Sequence, residues 1–139
     1  MKKGSFQHTK FKTRKNTRKD LKKECDQLVS EIVKLRDGGK CQKCGHAGTQ
    51  SHHLFSRRYL NTRWDSRNMV YLCYPCHLHG AHSKQEEFRD WILREIGPEL
   101  FEKLKISAYM TGSKMDMAAV KLMLEVEVEK EKALKDFRA

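Results

Sequence analysis

The chain is 139 residues long, carries 29 Lys and Arg against 18 Asp and Glu, and has a net charge of +11. At 38% hydrophobic and 34% charged residues it suits one domain with an arm or appended helix but not a large apolar core, so a metal staple or a partner-bound architecture is expected. No segment approaches the ~20 apolar residues of a membrane span, no apolar run follows Met1, and the five cysteines are an odd number, so membrane, secreted and disulfide-framed classes give way to reduced thiols in a cytoplasm.

Residues 1–19 contain eight Lys and Arg, among them Arg14, Lys15, Arg18 and Lys19, and no acid. Such a segment cannot bury enough surface to order itself and is expected to be disordered when free. It is either a solubilising tail or an arm that neutralises nucleic-acid phosphates. Residues 20–39 then read as a helix, because Leu21, Cys25, Leu28, Val29, Ile32 and Leu35 fall on one face. Asp20 can cap its start and Gly38-Gly39 can end it. Cys25 sits on the apolar face and reads as a small core residue.

Residues 40–82 differ in character, with four of the five cysteines and six of the seven histidines. Cys41-Gln42-Lys43-Cys44 and Cys73-Tyr74-Pro75-Cys76 are two CxxC pairs. Each such turn can aim two thiolates at one ion, and two turns complete a closed tetrahedral zinc site. Gly45, directly after Cys44, permits the tight turn that follows. A redox dithiol would need one pair and a βαβ setting that the pattern lacks. Between the pairs, Arg57, Arg58, Arg63 and Arg67 suit forked contacts to phosphate. His52 and His53 are adjacent, so on a strand they point to opposite sides. One can then hold a metal while its neighbour stays free to take a proton.

Residues 83–112 read as a helical extension. Ser83 and Glu86 form a capping-box pattern before a helix with Phe88, Trp91, Ile92 and Ile96 on its inner side. Gly97-Pro98 stops it, and a shorter helix runs from about Glu99 to Ala108. Residues 113–139 lack Gly and Pro and read as one C-terminal helix, although Leu124 to Glu129 alternate as a strand would. That helix completes the core or offers a surface for a homodimer.

The order C-x-x-C-G at 41–45, His52-His53, then Asn68 followed by four residues and Cys73-Tyr74-Pro75-Cys76-His77 resembles the HNH endonuclease family in the form with two CxxC zinc knuckles. The segment Phe88 to Leu104 is similar to the helical tail of phage NinG (Rap) recombination endonucleases. The resemblance implies an α+β fold: a small ββα-metal, treble-clef-like module over 40–82, stapled by structural Zn²⁺ and flanked by α-helices. It implies His53 as the general base, His52 and His77 as ligands of a catalytic divalent ion, and Asn68 as the residue that ties backbone near His53. His82 is a candidate third ligand. It lies about 140° from His77 on a regular helix, but Gly80 could let it swing in. Mg²⁺ or Mn²⁺ is the expected ion, with Zn²⁺ or Ni²⁺ compatible with imidazole.

The function so implied is metal-dependent hydrolysis of DNA phosphodiesters, on double-stranded or branched DNA, in a bacterial host cytoplasm if the chain is phage-encoded. A general nicking or homing nuclease is the same-class alternative. A non-catalytic zinc ribbon that binds nucleic acid explains the charge and the cysteines equally well, but it leaves His52-His53, Asn68 and His77 without a role. An assembly factor that uses the C-terminal helix is a further rival.

Overall fold

In the computed structural model the described residues are 14–112 and 114–138. Most of the expected basic arm, residues 1–13, lies outside them. The chain is helix-rich with one small sheet, in the order α1 (Arg18–Arg36), β1 (Gln50–His53), α2 (Leu60–Arg63), a 3₁₀ turn (Ser66–Asn68), β2 (Met69–Leu72), a π-helix (Cys76–His82), α3 (Gln85–Ile96), α4 (Pro98–Tyr109) and α5 (Met117–Arg138). Among the described residues no helix is long and apolar enough to cross a membrane.

Strands β1 and β2 pair antiparallel, with Gln50 opposite Leu72, Ser51 opposite Tyr71, His52 opposite Val70 and His53 opposite Met69. All four residues of β2 are buried, because the strand lies between two apolar layers. Its alternation sends Met69 and Tyr71 into one core with Cys25, Val29, Ile32 and Val33 of α1 and Met117, Leu124 and Val128 of α5. It sends Val70 and Leu72 into a second core with Cys41, Cys73, Ala81, Phe88, Trp91, Ile92 and Phe101. Two modest cores share one strand, which is how a chain this polar orders itself.

The end of α1 is fastened to the start of β2. Arg36 donates from Nη1 to the Ser66 carbonyl and from Nη2 to the Met69 carbonyl, both at 2.7 Å. Asp37 accepts from the Tyr71 backbone N–H at 2.9 Å. These bonds satisfy strand groups on the side away from β1, which an isolated four-residue ribbon would leave open.

Several boundaries differ from the sequence expectations, each for a local reason. Helix α1 starts two residues earlier, at Arg18. Thr17 is its N-cap, and Asp20 is the reciprocal partner of a capping box, not the cap. Arg18 and Lys19 therefore belong to the helix and not to the arm, and the Arg18 guanidinium donates to the Met115 carbonyl at 2.8 Å. The box expected at Ser83 and Glu86 is absent. The π-helix runs on to His82, Ser83 Oγ bonds back to the Leu78 carbonyl, and Lys84 precedes α3 without a side-chain cap. The helix expected from residue 113 begins at Met117, where Asp116 Oδ1 accepts from the N–H groups of Ala118 and Ala119. The alternating stretch from Leu124 is helix, with Leu124 and Val128 buried four residues apart and Val126 turned outward. Leu122, Met123 and Phe137 of α5 are also exposed.

Gly48 lies against the ring of Tyr71, and a Cβ built there runs into that ring. Tyr71 is held by both sheet and core, so it cannot give way cheaply. Gly48→Ala is expected to cost about 1–3 kcal/mol in urea unfolding. Gly112→Ala, where an added Cβ meets nothing, should change stability by less than about 0.5 kcal/mol.

Candidate metal centres and the cleft beside them

The four cysteines of the two CxxC turns converge. All are free thiols, and their sulfurs lie within 4.8 Å of one another. Cys44 Sγ and Cys73 Sγ are 3.6 Å apart, close to the ~3.8 Å edge of a tetrahedron with zinc–sulfur bonds of about 2.3 Å. The first knuckle is shaped by Gly45, whose φ of +79° suits glycine and lets its N–H reach the Cys41 carbonyl at 2.8 Å. Gln42 N–H donates to the Tyr71 carbonyl at 3.0 Å, which fixes this knuckle to β2. Burial pushes the Cys41 thiol up, but backbone N–H groups of Cys73, Cys44 and Lys43 outweigh it and bring Cys41 down to about 6. Cys41 is thus the thiol most ready to ionise, whereas burial and the neighbouring sulfurs push Cys76 up and Cys44 also lies above its ordinary value. Four converging sulfurs at this spacing fit one structural zinc. His46 Nδ1 lies 3.2 Å from Cys44 Sγ, outside the four-sulfur set.

A second cluster gathers His52, His77 and His82, with one ligand nitrogen of each within 4.8 Å of the others. His52 reaches it because its register opposite Val70 turns it toward the second core, where its ring meets Phe88 at 5.3 Å between centroids. His77 and His82 are five residues apart. On an α-helix they would diverge, but a π-helix bonds residue i to i+5 and so stacks side chains at that spacing. Their Nε2 atoms are 3.1 Å apart, and two nitrogens bound to one ion at about 2.1 Å lie about 3.0–3.4 Å apart. His82, the candidate third ligand, is thus brought to the site by a wide helical turn and not by a break at Gly80. Burial, with the neighbouring imidazoles of His77, His82 and His53, holds His52 down at about 4. Burial also lowers His77. The lone pairs of His52 and His77 are therefore available at neutral pH.

His53, opposite Met69, leaves β1 on the other side. Its Nε2 is 3.0 Å from the Arg63 carbonyl. A carbonyl only accepts, so Nε2 carries the proton and Nδ1 keeps the lone pair. Burial holds its pKa below the usual histidine value, against the carbonyl bond that raises it. Asn68 is fully buried and closes the loop between the strands. Its Oδ1 accepts from the Phe55 N–H at 2.9 Å, and its Nδ2 donates to the carbonyls of Phe55 at 3.0 Å and Thr62 at 3.1 Å. It ties Phe55, two residues after His53, to Thr62, next to the Arg63 that His53 contacts.

The four loop arginines separate in the structure. Arg63 is engaged internally, giving Nε and Nη2 to Asp26 at 2.9 and 2.7 Å. Arg57 also meets Asp26, at 3.2 Å, but its side chain is 63% exposed. Arg58 donates to the Tyr59 hydroxyl at 2.7 Å, and Arg67 pairs with Asp65 at 2.8 Å. Of the remaining basic candidates, Arg14 and Lys15 are exposed before α1 and Lys19 is exposed on it. Asp26, which sequence reasoning missed, also accepts from the Trp64 indole at 2.9 Å. It anchors the segment whose Arg63 carbonyl holds His53. No spacing rule links residue 26 to residue 63, and only the fold reveals the pair.

His52, His53, His77 and His82 line one cleft of about 1030 Å³, with Arg57 and Arg58 at its edge. Its far wall carries Arg89, Phe101, Lys105 and Tyr109 from α3 and α4, none of which the sequence marked as functional. Comparison of the chain with family models, curated proteins and solved structures finds no match.

Two outcomes follow from this geometry. Stripping zinc with a chelator removes a contribution of about 10 kcal/mol or more. It should unfold residues 40–82 and red-shift tryptophan emission, because Trp91 is packed in the same core as Cys41 and Cys73. For Asp26, burial raises the carboxyl pKa, but bonds from Arg63 and Trp64 and the charges of Arg63 and Arg57 outweigh it, leaving the net below the ordinary 3.8. A lowered folded pKa gives stability that is full above the unfolded value and is lost as pH falls through the folded one. Asp26→Asn should therefore cost about 2–3 kcal/mol at pH 7. Urea unfolding should show that gap shrinking below about pH 4.

Proposed function

We propose that the protein is a metal-dependent DNA endonuclease of the HNH, or ββα-metal, type, which hydrolyses phosphodiester bonds in the cleft of the four histidines. The observation that carries this reading is the division of labour between two adjacent residues. His52 joins His77 and His82 in one ligand set, while His53 exits the other face with Nε2 protonated by its bond to Arg63. The succession of β1, β2 and a helix beginning at Cys76, with Asn68 tying the loop between the strands, agrees with the ββα pattern. A non-catalytic zinc ribbon has no use for a second, sulfur-free ligand set beside a poised imidazole.

His53 Nδ1 takes a proton from the attacking water, a role typically worth ~10²–10⁴-fold in rate. The Arg63 carbonyl holds the ring in the tautomer that this requires. His52, His77 and His82 would hold the divalent ion. When bound, the ion supplies positive charge against the pentavalent phosphorus and the departing 3′ oxygen. Among the described residues the donor set is three imidazoles, with no carboxylate in the cluster. Zn²⁺ or Ni²⁺ therefore suits it best, with Mn²⁺ next and Mg²⁺, the ion least willing to leave oxygen, last. Exposed Arg57 and Arg58 meet the backbone of the bound strand, and the basic residues before α1 add reach. Branched recombination intermediates are the substrate to which the NinG resemblance points. A homodimer through α5 would use the outward Leu122, Val126 and Phe137.

The test is nicking of supercoiled plasmid in Mn²⁺ by wild type and His53→Ala, matched for zinc content and DNA binding. The variant is expected to lose about 10²–10⁴-fold in rate. Equal rates in the two proteins, or DNA binding by both without cutting, would remove the nuclease reading.

A further inference from the structure

The cleft is unusual in what lines it beyond the histidines. Four cationic side chains border it, and among its described lining residues there is no Asp or Glu. Two of the cations lie over aromatic rings: the Arg58 guanidinium is 4.8 Å from the centroid of Tyr59, and that of Arg89 is 5.3 Å from Phe101. Neither makes an ion pair among the described residues. Lys105 contacts Glu102 only at 3.7 Å, with side chains 43% and 58% exposed, so that pair neutralises little. The wall is thus positive, with aromatic surface between the charges.

Tyr109 stands at the end of this wall, on the last residue of α4. Its ring is packed at about a right angle to Tyr59, 5.1 Å between centroids, and edge-on to Phe55 at 6.3 Å. Over half of the residue, 56%, remains exposed. A large ring held rigidly by two others yet left open at a cleft mouth is a stacking platform without a partner. Cations that track a backbone, interleaved with open aromatic rings, are the pattern that binds an unpaired strand. A ligand with phosphates alone would need no rings, and an apolar ligand would need no arginines.

We propose that the α3–α4 wall is a strand-binding subsite, in which Arg89 and Lys105 each take a backbone phosphate and Tyr109 stacks on an unpaired base beside them. It forms the α3–α4 side of the cleft that the histidines also line, and it rests on reading that cleft as a nucleic-acid site. The bases are met by a ring face and not by hydrogen-bonding groups, so the subsite tolerates any sequence.

The experiment is a fluorescence-anisotropy titration of a labelled oligothymidylate of about 12 residues. A hairpin duplex is titrated alongside it over a range of salt. The protein carries one equivalent of zinc, enough for the four thiols alone, and receives no other divalent ion, so binding is read apart from cleavage. Arg89→Ala with Lys105→Ala should lower the slope of log affinity against log salt on the single strand by about 1.4, or 0.7 for each phosphate lost. Tyr109→Ala should weaken the single strand by about 5–100-fold with its slope unchanged and with little effect on duplex, and Tyr109→Phe should restore it. A wild-type slope in the double variant overturns the phosphate contacts. A Tyr109→Phe protein as weak as Tyr109→Ala overturns the stacking, as does equal weakening on both DNAs. Plasmid nicking by the same proteins separates the two claims. Cutting with an unchanged slope defeats the subsite alone, whereas the expected slopes in a protein that never cuts leave the subsite standing and defeat the nuclease reading.

Discussion

With His52 opposite Val70 and His53 opposite Met69, two identical side chains one residue apart enter different surroundings. Slipping this pairing by one residue would exchange them, turning His53 toward the π-helix and His52 toward the Arg63 carbonyl. A two-stranded ribbon this short has no stability of its own to resist such a slip. The resistance comes from outside the sheet. The Arg36–Asp37 pair grips the open side of β2, Asn68 closes the loop at one end, and the four thiols gather the chain where β2 leaves at Cys73. The cysteine cluster thus has a second consequence beyond stability. By fixing where the chain turns after Leu72, it sets where His77 emerges relative to His52.

The helices serve the same end. Helix α5 covers α1, so that α1 can present Asp26 to Arg63 and Trp64. The segment between the strands is then held from the α1 side by a carboxylate and from within by Asn68. Helices α3 and α4 build the opposite bank of the cleft, and burial lowers the pKa values of His52, His53 and His77, which keeps their lone pairs available. The positive charge of the chain is therefore put to different uses. Arg63 and Arg36 are internal ties, while Arg57, Arg58 and Arg89 are left at a concave surface.

Much of this was legible in the sequence where the relevant distance along the chain was short. The two CxxC turns, the opposed directions of His52 and His53 on a strand, Cys25 as core and Gly45 as a turn residue follow from local periodicity and spacing. Asn68 beside the His53 segment came from the family resemblance and is matched by its bonds to Phe55 and Thr62. What was not legible depended on long-range packing or on an uncommon helix. The i,i+5 pairing of His77 with His82 needs a π-helix, which no propensity encodes. Arg63 looked like its exposed neighbours until Asp26, 37 residues earlier, was seen to hold it. Helix boundaries moved because capping residues compete: Thr17 displaced Asp20, Asp116 set the start of α5, and Ser83 was already engaged by the π-helix.

In the proposed nuclease, His52, His77 and His82 hold a metal while His53 remains a base. The most direct measurement is anomalous X-ray diffraction from crystals of the zinc-loaded protein soaked in Mn²⁺. A zinc peak is expected among Cys41, Cys44, Cys73 and Cys76, and a separate manganese peak among His52, His77 and His82. His53 Nδ1 is expected free of metal, with an ordered water within hydrogen-bond distance. A manganese peak elsewhere, or His53 itself ligating the ion, would contradict this division of roles.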